Sequence, residues 1–417
     1  MKSFLRKHLP TLDTQIWILA IGRLLSELGT GFTLFYAPIY FVNQIGLSAT
    51  TVGIALGSSS LSGIVGRILG GSLADSPFWG RRRTLLLSAA ICAVGSLVLA
   101  ATNNFVSLII GNLIGGLGAG LYWPATEAVV ADLTNNKNRR EAFAITRFAD
   151  NIGLGLGIVL AGALVATTAS YRLLFIIDGV SFIIFFAVIY AAIKKTPHHV
   201  TTPSDTNSQQ IASWIAALSD HRLLIFVLVN IIFTTYISQL HSTLPLYFKN
   251  FIQVDEINKG FTQTTISALF TWHLIVAIIA QLPVARLMKG LSHSLSLTIS
   301  AVLWAIGFVC IWITGVSSAY SIVWAAFALF LFALAIVSYT PSAAAFVSDI
   351  APADKRGIYF SINSLCWAIG YFIGPPLGGW ALDQSQFAIN TFWLSLSVSV
   401  FFAIAILRYL YRLVSVQ

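Results

Sequence analysis

Charged side chains are scarce in this chain, and four of them stand where charge is costly. Arg23 and Glu27 lie four apart in one apolar run, and Arg147 and Asp150 lie three apart in another. On a helix those spacings put each pair on one face. Ionisable groups inside apolar spans mark ion, proton or substrate paths by default. Burial disfavours a charged carboxyl and a nearby arginine favours it, so a carboxyl beside an arginine takes up or releases a proton as their separation changes. Glu27, with Asp150 as partner or alternate, is the expected proton carrier, tuned by Arg23 and Arg147. A structural ion-pair network is the other role open to the same four. Glu127 and Asp178, closer to the ends of their runs, are expected to be structural.

The second half of the chain offers different chemistry. No Asp or Glu occurs between Glu256 and Asp349, and the apolar runs carry Tyr236, Gln239, His241, Trp272, His273, Trp367 and Tyr371. These are the expected lining of a substrate cavity, although a lone histidine serves equally well as a hydrogen-bonded packing residue. A charged half facing an aromatic half suits an amphiphilic or cationic organic molecule. No Ser, His and Asp set, metal-ligand spacing or phosphate-binding loop occurs, so neither an enzyme nor an ATP-driven pump is expected, nor any catalytic residue, cofactor or metal. Cys92, Cys310 and Cys366 all fall inside apolar runs and read as small packing residues.

The elements that hold these residues follow from composition. With 57% apolar and 9% charged residues, the chain is no soluble globule. Apolar runs of about 20 residues, each long enough to cross a bilayer as a helix, recur without strand-like alternation. Twelve helices are predicted, at 15–42, 51–73, 84–101, 105–131, 141–166, 171–193, 223–248, 261–288, 295–314, 320–347, 357–382 and 389–413. At 1.5 Å per residue, Glu27 and Asp150 share a depth of roughly 14 to 18 Å from one membrane face. The net charge of +9 sits in short loops and not on one surface, which makes it a topology signal and not a nucleic-acid footprint. Lys and Arg concentrate in the termini and alternate loops, leaving Arg172, Lys249 and Lys259 in the opposite set. Both termini are therefore expected in the cytoplasm, in a multi-pass protein of the cell (inner) membrane. The basic start of the chain leads into a run that carries Arg23 and Glu27 and lacks a cleavage site, so a signal peptide is not expected.

The chain also repeats itself. The stretch from Tyr122 to Gly162 aligns without a gap on the stretch from Tyr339 to Gly379, pairing Tyr122 with Tyr339, Pro124 with Pro341, Asp132 with Asp349, Arg139 with Arg356, Gly153 with Gly370 and Gly157 with Gly374. The shift is about half the length, so two similar six-helix bundles are expected at 1–193 and 222–417. Residues 194–221 form a polar linker that ends in a short amphipathic helix. In membranes such a layout usually means a transporter with its site between the halves.

Between the second and third predicted helices, Gly71, Leu73, Asp75, Gly80, Arg81 and Arg82 resemble the signature of the major facilitator superfamily, with two residues more than usual between Asp75 and Gly80. With twelve helices, a central linker and a half-chain repeat, the resemblance spans essentially the whole chain, and it implies an all-α integral membrane fold of two pseudo-symmetric bundles. It also implies a cytoplasmic gate, in which Gly71, Asp75, Gly80, Arg81 and Arg82 meet the start of the eleventh helix at Arg356. Two departures bear on function. Proton-coupled members carry a buried arginine where this chain has Asn112, which joins the expected cavity lining. Antiporters carry a proline where Ile158 stands, and prolines appear instead at Pro375 and Pro376, which should bend the eleventh helix.

The resemblance is greatest to the twelve-helix drug and proton antiporters. It implies a secondary active transporter that exports lipophilic or cationic small molecules against protons, acting as a monomer with no cofactor and with the substrate, protons and the bilayer as partners. Asn112 and Ile158 favour a second possibility, a proton-coupled uptake symporter for a metabolite. A membrane receptor or enzyme without transport is the remote alternative.

Overall fold

A computed structural model describes residues 12–74, 76, 78–134, 139–193, 214–253, 260–288, 290–317, 320–352 and 356–415. They form twelve long helices and no β-strand. These are α1 Thr14–Asn43, α2 Ala49–Ala74, α3 Gly80–Ala101, α4 Phe105–Asp132, α5 Arg139–Thr168, α6 Arg172–Ala192, α7 His221–Asn250, α8 Gln263–Leu287, α9 His293–Val316, α10 Ser321–Ile350, α11 Arg356–Leu382 and α12 Gln386–Ser415. Eleven of the described helices, all but α11, are long and apolar enough to cross a membrane. Polar side chains start several of them by taking otherwise orphaned backbone N–H groups. Asp13 accepts from Gln15 N, Asn104 from Ser107 N, Asp220 from Arg222 N, Thr262 from Thr265 N and Ser292 from Leu295 N.

Two helices expected to be continuous are interrupted. α1 breaks at residues 34–36 and α7 at Ser242. The cause is the same in both, since Pro38 and Pro245 remove a donor and crowd the carbonyl four residues back, at Leu34 and His241. The prolines of α11 act otherwise, because the helix runs unbroken through Pro375 and Pro376.

Two compact units form, one of 1–37 with 58–200 and the other of 38–57 with 201–417. They differ from the expected halves by one segment, the α1–α2 corner, which packs with the second unit. There Asn43 and Asn250 exchange amide hydrogen bonds of 2.8 Å. The Asp383 carboxylate accepts from Ala49 N at 2.9 Å, Thr50 N at 2.7 Å and Thr50 Oγ1 at 2.6 Å, capping the start of α2.

Inside each unit the same packing order appears. α1 packs on α5 and α6, and α3 on α4 and α6, as α7 packs on α11 and α12, and α9 on α10 and α12. Gly153 of α5 lies on the Leu24 carbonyl of α1, and Gly370 of α11 lies on Thr234 of α7. The two repeated glycines thus hold equivalent seams. The repeated acids are equivalent too, for Asp132 at the end of α4 pairs with Arg81 at the start of α3, and Asp349 at the end of α10 accepts from His293 at the start of α9 at 2.8 Å. An acid at a helix N-terminus is favoured by the helix dipole as well as by its cation.

Asp75 and the side chain of Arg356, expected in the cytoplasmic gate, lie outside the described residues, as does the linker from 194 to 213. The rest of the signature is used within the first unit. Gly80 turns at φ 75°, a conformation that costs another residue roughly 1–2 kcal/mol. Arg81 also donates to Ala128 O at 2.9 Å, and Arg82 donates to Tyr190 O at 2.6 Å with its guanidinium 5.3 Å from the Tyr190 ring centroid. Gly71 has open space where a Cβ would stand. A short helix at 214–218 precedes α7, with Trp214, Ile215 and Leu218 exposed.

Candidate functional site

The seam between α1 and α5 builds the charged cluster of the first unit. A Cβ at Gly153 would run into the Leu24 carbonyl, one at Gly157 into Leu28 O, and one at Gly31 into Leu154 O. The two backbones therefore touch, and that contact brings Arg23 of α1 against Asp150 of α5. Arg23 Nε donates to Asp150 Oδ1 at 2.8 Å, and Nη2 donates to Oδ2. Both residues are buried, Arg23 with 1% exposure. The guanidinium also lies 5.8 Å from the Tyr122 ring centroid and 5.7 Å from that of Trp123 on α4. A two-pronged pair on aromatic rings is the strong form of an arginine–carboxylate contact.

Arg147, the second arginine, finds a different partner. Its Nη2 donates to Glu127 Oε1 at 2.8 Å, and its Cζ stands 4.9 Å from the Trp123 centroid. Trp123 thus adjoins two ion pairs, one buried and one half-exposed. The pairings inside single helices, Arg23 with Glu27 and Arg147 with Asp150, are replaced by pairings between helices. Helical spacing on one face allows the first kind, but the two-pronged contact of Arg23 is made by a carboxylate of the neighbouring helix.

Glu27 is consequently left alone. It is partly exposed, and among the described residues it makes no hydrogen bond or ion pair. The charges in its neighbourhood are Asp150, Arg23, Asp178 and Arg147. Asp178 of α6 is buried and accepts from Ser96 Oγ of α3 at 2.7 Å, with no cation in contact among the described residues. The Arg23 guanidinium is taken by Asp150 and that of Arg147 by Glu127, which also feels the charge of Arg67 on α2. Among the described residues, Glu27 and Asp178 form no ion pair.

In the second unit the aromatic set divides. His241 Nδ1 and Tyr371 OH share a hydrogen bond of 2.6 Å, Tyr371 stacks on Trp367 at 6.2 Å, and Trp367 lies 6.4 Å from Tyr339. His241, Trp367 and Tyr371 are therefore one cluster. Tyr236 and Gln239 are buried and are not part of it. The Tyr236 hydroxyl bonds Ser399 Oγ at 2.6 Å among Trp304 and Phe308, while Gln239 Nε2 donates to Gly374 O at 2.8 Å. On α8, His273 is buried with Nδ1 2.9 Å from Leu329 O, and Trp272, 43% exposed, donates from Nε1 to Ala326 O at 3.1 Å. Asn112, in the first unit, donates to the Leu108 carbonyl of its own helix at 2.9 Å.

Sequence reasoning missed Glu127, Trp123 and Ser96 as members of the charged cluster, and it left Asp178 outside. The signal for Asp178 was present, an acid in an apolar run with no arginine on its own helix face.

Comparison with known proteins follows the same lines. A sequence model described as Major Facilitator Superfamily matches residues 19–258 and 251–416. The MFS-type transporter YqjV of Bacillus subtilis (strain 168) is 26% identical over 88% of this chain and 86% of its own length. The Na(+), Li(+), K(+)/H(+) antiporter of Planococcus maritimus is 26% identical over 83% of this chain and 85% of its own. Quinolone resistance protein NorA of Staphylococcus aureus is 22% identical over 89% and 91%. Among solved structures, the nucleoside transporter NupG superimposes with a TM-score of 0.81 at 14% identity, covering 96% of this chain and 99% of that one.

Proposed function

Since the chain belongs to the Major Facilitator Superfamily and is a multi-pass membrane transporter and not an enzyme, we propose that it is a secondary active, proton-coupled exporter of lipophilic or cationic small molecules in which Glu27 carries the exchanged proton. One observation carries this reading. Glu27 is a partly exposed carboxyl of the cluster, and among the described residues it makes no hydrogen bond or ion pair. A carboxyl in that position is stabilised by a proton, or by a cationic molecule that supplies the same positive charge. Proton and cationic substrate then compete for one carboxylate, which is the coupling that antiport requires. Asp150 is fixed in its pair with Arg23 and sets the local field. Arg147 and Glu127 border the site beside Trp123.

The names of two relatives agree with this reading, one being an antiporter with protons on one side of the exchange and the other a quinolone resistance protein. Energy would come from the proton gradient of the cell membrane without ATP, with both termini in the cytoplasm and Asp75 acting in the cytoplasmic gate. A specific observation favours a second reading, uptake by symport, because Asn112 bonds its own helix and Ile158 is buried where antiporters bend α5 with a proline.

The test is transport in proteoliposomes under a pH gradient of either sign, with a panel of cationic dyes and common metabolites. Antiport accumulates dye against the proton flow, whereas symport moves a metabolite with it. Glu27→Gln mimics the protonated carboxyl and cannot titrate. Proton-driven transport should be lost and substrate exchange retained. A Glu27→Gln protein with the parent's pH dependence would remove Glu27 from the mechanism.

A further inference from the structure

Asp178 is the other carboxyl of the cluster with no ion pair among the described residues, and its surroundings differ from those of Glu27. α6 packs against both α1 and α3, and the Asp178 side chain is closed off between them, 6% exposed. Asp178 Oδ2 lies 2.7 Å from Ser96 Oγ, and Oδ1 is buried with no hydrogen-bond partner.

The hydroxyls around this carboxyl cannot satisfy it as an anion. Ser96 Oγ has one proton and two acceptors in reach, the Cys92 carbonyl at 3.1 Å and Asp178 Oδ2 at 2.7 Å. Ser181 Oγ donates to the Asp178 backbone carbonyl at 2.7 Å, so its proton is also used. If Asp178 is ionised, one of the two Ser96 contacts has no proton in it. If Asp178 carries a proton on Oδ2, that proton goes to Ser96 Oγ, the Ser96 proton goes to Cys92 O, and both contacts are hydrogen bonds. An ionised carboxylate here would add the cost of an unpaired charge buried in an apolar span.

Geometry also selects the ligand. On the Oδ1 side stands Gly29 of α1, where an added Cβ would come within 2.8 Å of Oδ1 and would strike Ser181 Oγ. The α1 backbone thus closes over the carboxyl, leaving room for a proton and none for a hydrated metal ion. The titratable groups facing Asp178 are Glu27 on α1 and the Cys92 thiol on α3, and no Arg, Lys or His is in contact with it among the described residues.

We infer that Asp178 is a second proton-binding group of the first unit, protonated in this arrangement with its carboxyl closed under the α1 backbone at Gly29. The inference rests on the proton-coupled reading for its role in transport, but the binding of the proton itself does not require transport.

Infrared difference spectroscopy of the purified full-length protein, titrated with acid and base in H2O and D2O, reads this directly. Protonated buried carboxyls give a C=O stretching band that ionised ones lack. Asp178→Asn should lose one such band, whose amide can still donate to Ser96 and keep the fold. Ser96→Ala should keep the band and move its frequency, because the proton on Asp178 loses its acceptor. Glu27→Gln should keep the Asp178 band. Carboxyl bands in Asp178→Asn identical to the parent's across the titration would overturn the proposal, and so would a Ser96→Ala spectrum unchanged in this region. Loss of the same band in Glu27→Gln would assign it to Glu27 and overturn the proposal as well. A Glu27→Gln protein that transports like the parent would end the Glu27 role and leave the Asp178 band where it is.

Discussion

Asp150→Asn should destabilise the protein far more than Glu127→Gln, although each removes one carboxylate from an arginine. Arg23 is 1% exposed and gives two N–H groups to Asp150, and its guanidinium also lies against the rings of Tyr122 and Trp123. With an amide at 150, one oxygen still accepts from Nε, but an NH2 group is brought against Nη2. The guanidinium is then buried, charged and half-paired. Removing one partner of a buried pair costs about 3–5 kcal/mol, roughly a hundred- to several-thousand-fold in an equilibrium constant. Arg147 and Glu127 have side chains 51% and 48% exposed, and a pair so open is worth about 0–1 kcal/mol. The measurement is the thermal unfolding midpoint of the purified protein in detergent, followed by intrinsic fluorescence. Glu127→Gln should unfold within a degree or so of the parent, by the small worth of its pair. Asp150→Asn should unfold well below it. A double variant, Arg23→Met with Asp150→Leu, should recover most of the loss, since removing both charges removes both desolvation costs. If Asp150→Asn is as stable as Glu127→Gln, the buried pair does not hold α1 to α5, and Asp150 returns as a candidate for the exchanged proton.

Two further outcomes follow from polar contacts at helix starts. Asp383→Ala frees Ala49 N, Thr50 N and the Thr50 hydroxyl at the start of α2, at a cost of about 1 kcal/mol. Amide hydrogen exchange at 49–50 should rise several-fold, by the same 1 kcal/mol, and unchanged exchange would mean that the carboxylate does not hold the corner. Asp220, just before α7, has its carboxyl below the usual range, because burial, which pushes it up, is outweighed by hydrogen bonds from Arg222 and Tyr359. A depressed folded-state value means stability that is present above the unfolded value of about 3.9 and lost as pH falls through the folded one. The stability difference between the parent and Asp220→Ala should therefore be full near neutral pH and shrink below about pH 4. A difference that does not change with pH would show that Asp220 acts only as a neutral cap.

The number and order of the spans were legible in the chain itself, because a bilayer-crossing helix is a local property of about 20 apolar residues. The repeat was legible for a related reason. Glycines such as Gly153 and Gly370 are demanded wherever two backbones touch, and the same seam recurs in both units. The interruptions of α1 and α7 were written there too, in Pro38 and Pro245. What spacing along one helix did not contain is which carboxyl each arginine takes. Arg23 and Glu27 share a face, yet the guanidinium goes to Asp150, 127 residues away, because the Gly31, Gly153 and Gly157 seam sets the distance between α1 and α5. The same holds for the α1–α2 corner, which joins the second unit through Asn250 and Asp383, and for Asp178, whose polar neighbour Ser96 stands on another helix. Helix periodicity is decided by near neighbours in the chain. Charge pairing is decided by end-on geometry at under 3 Å, which exists only after the helices have packed.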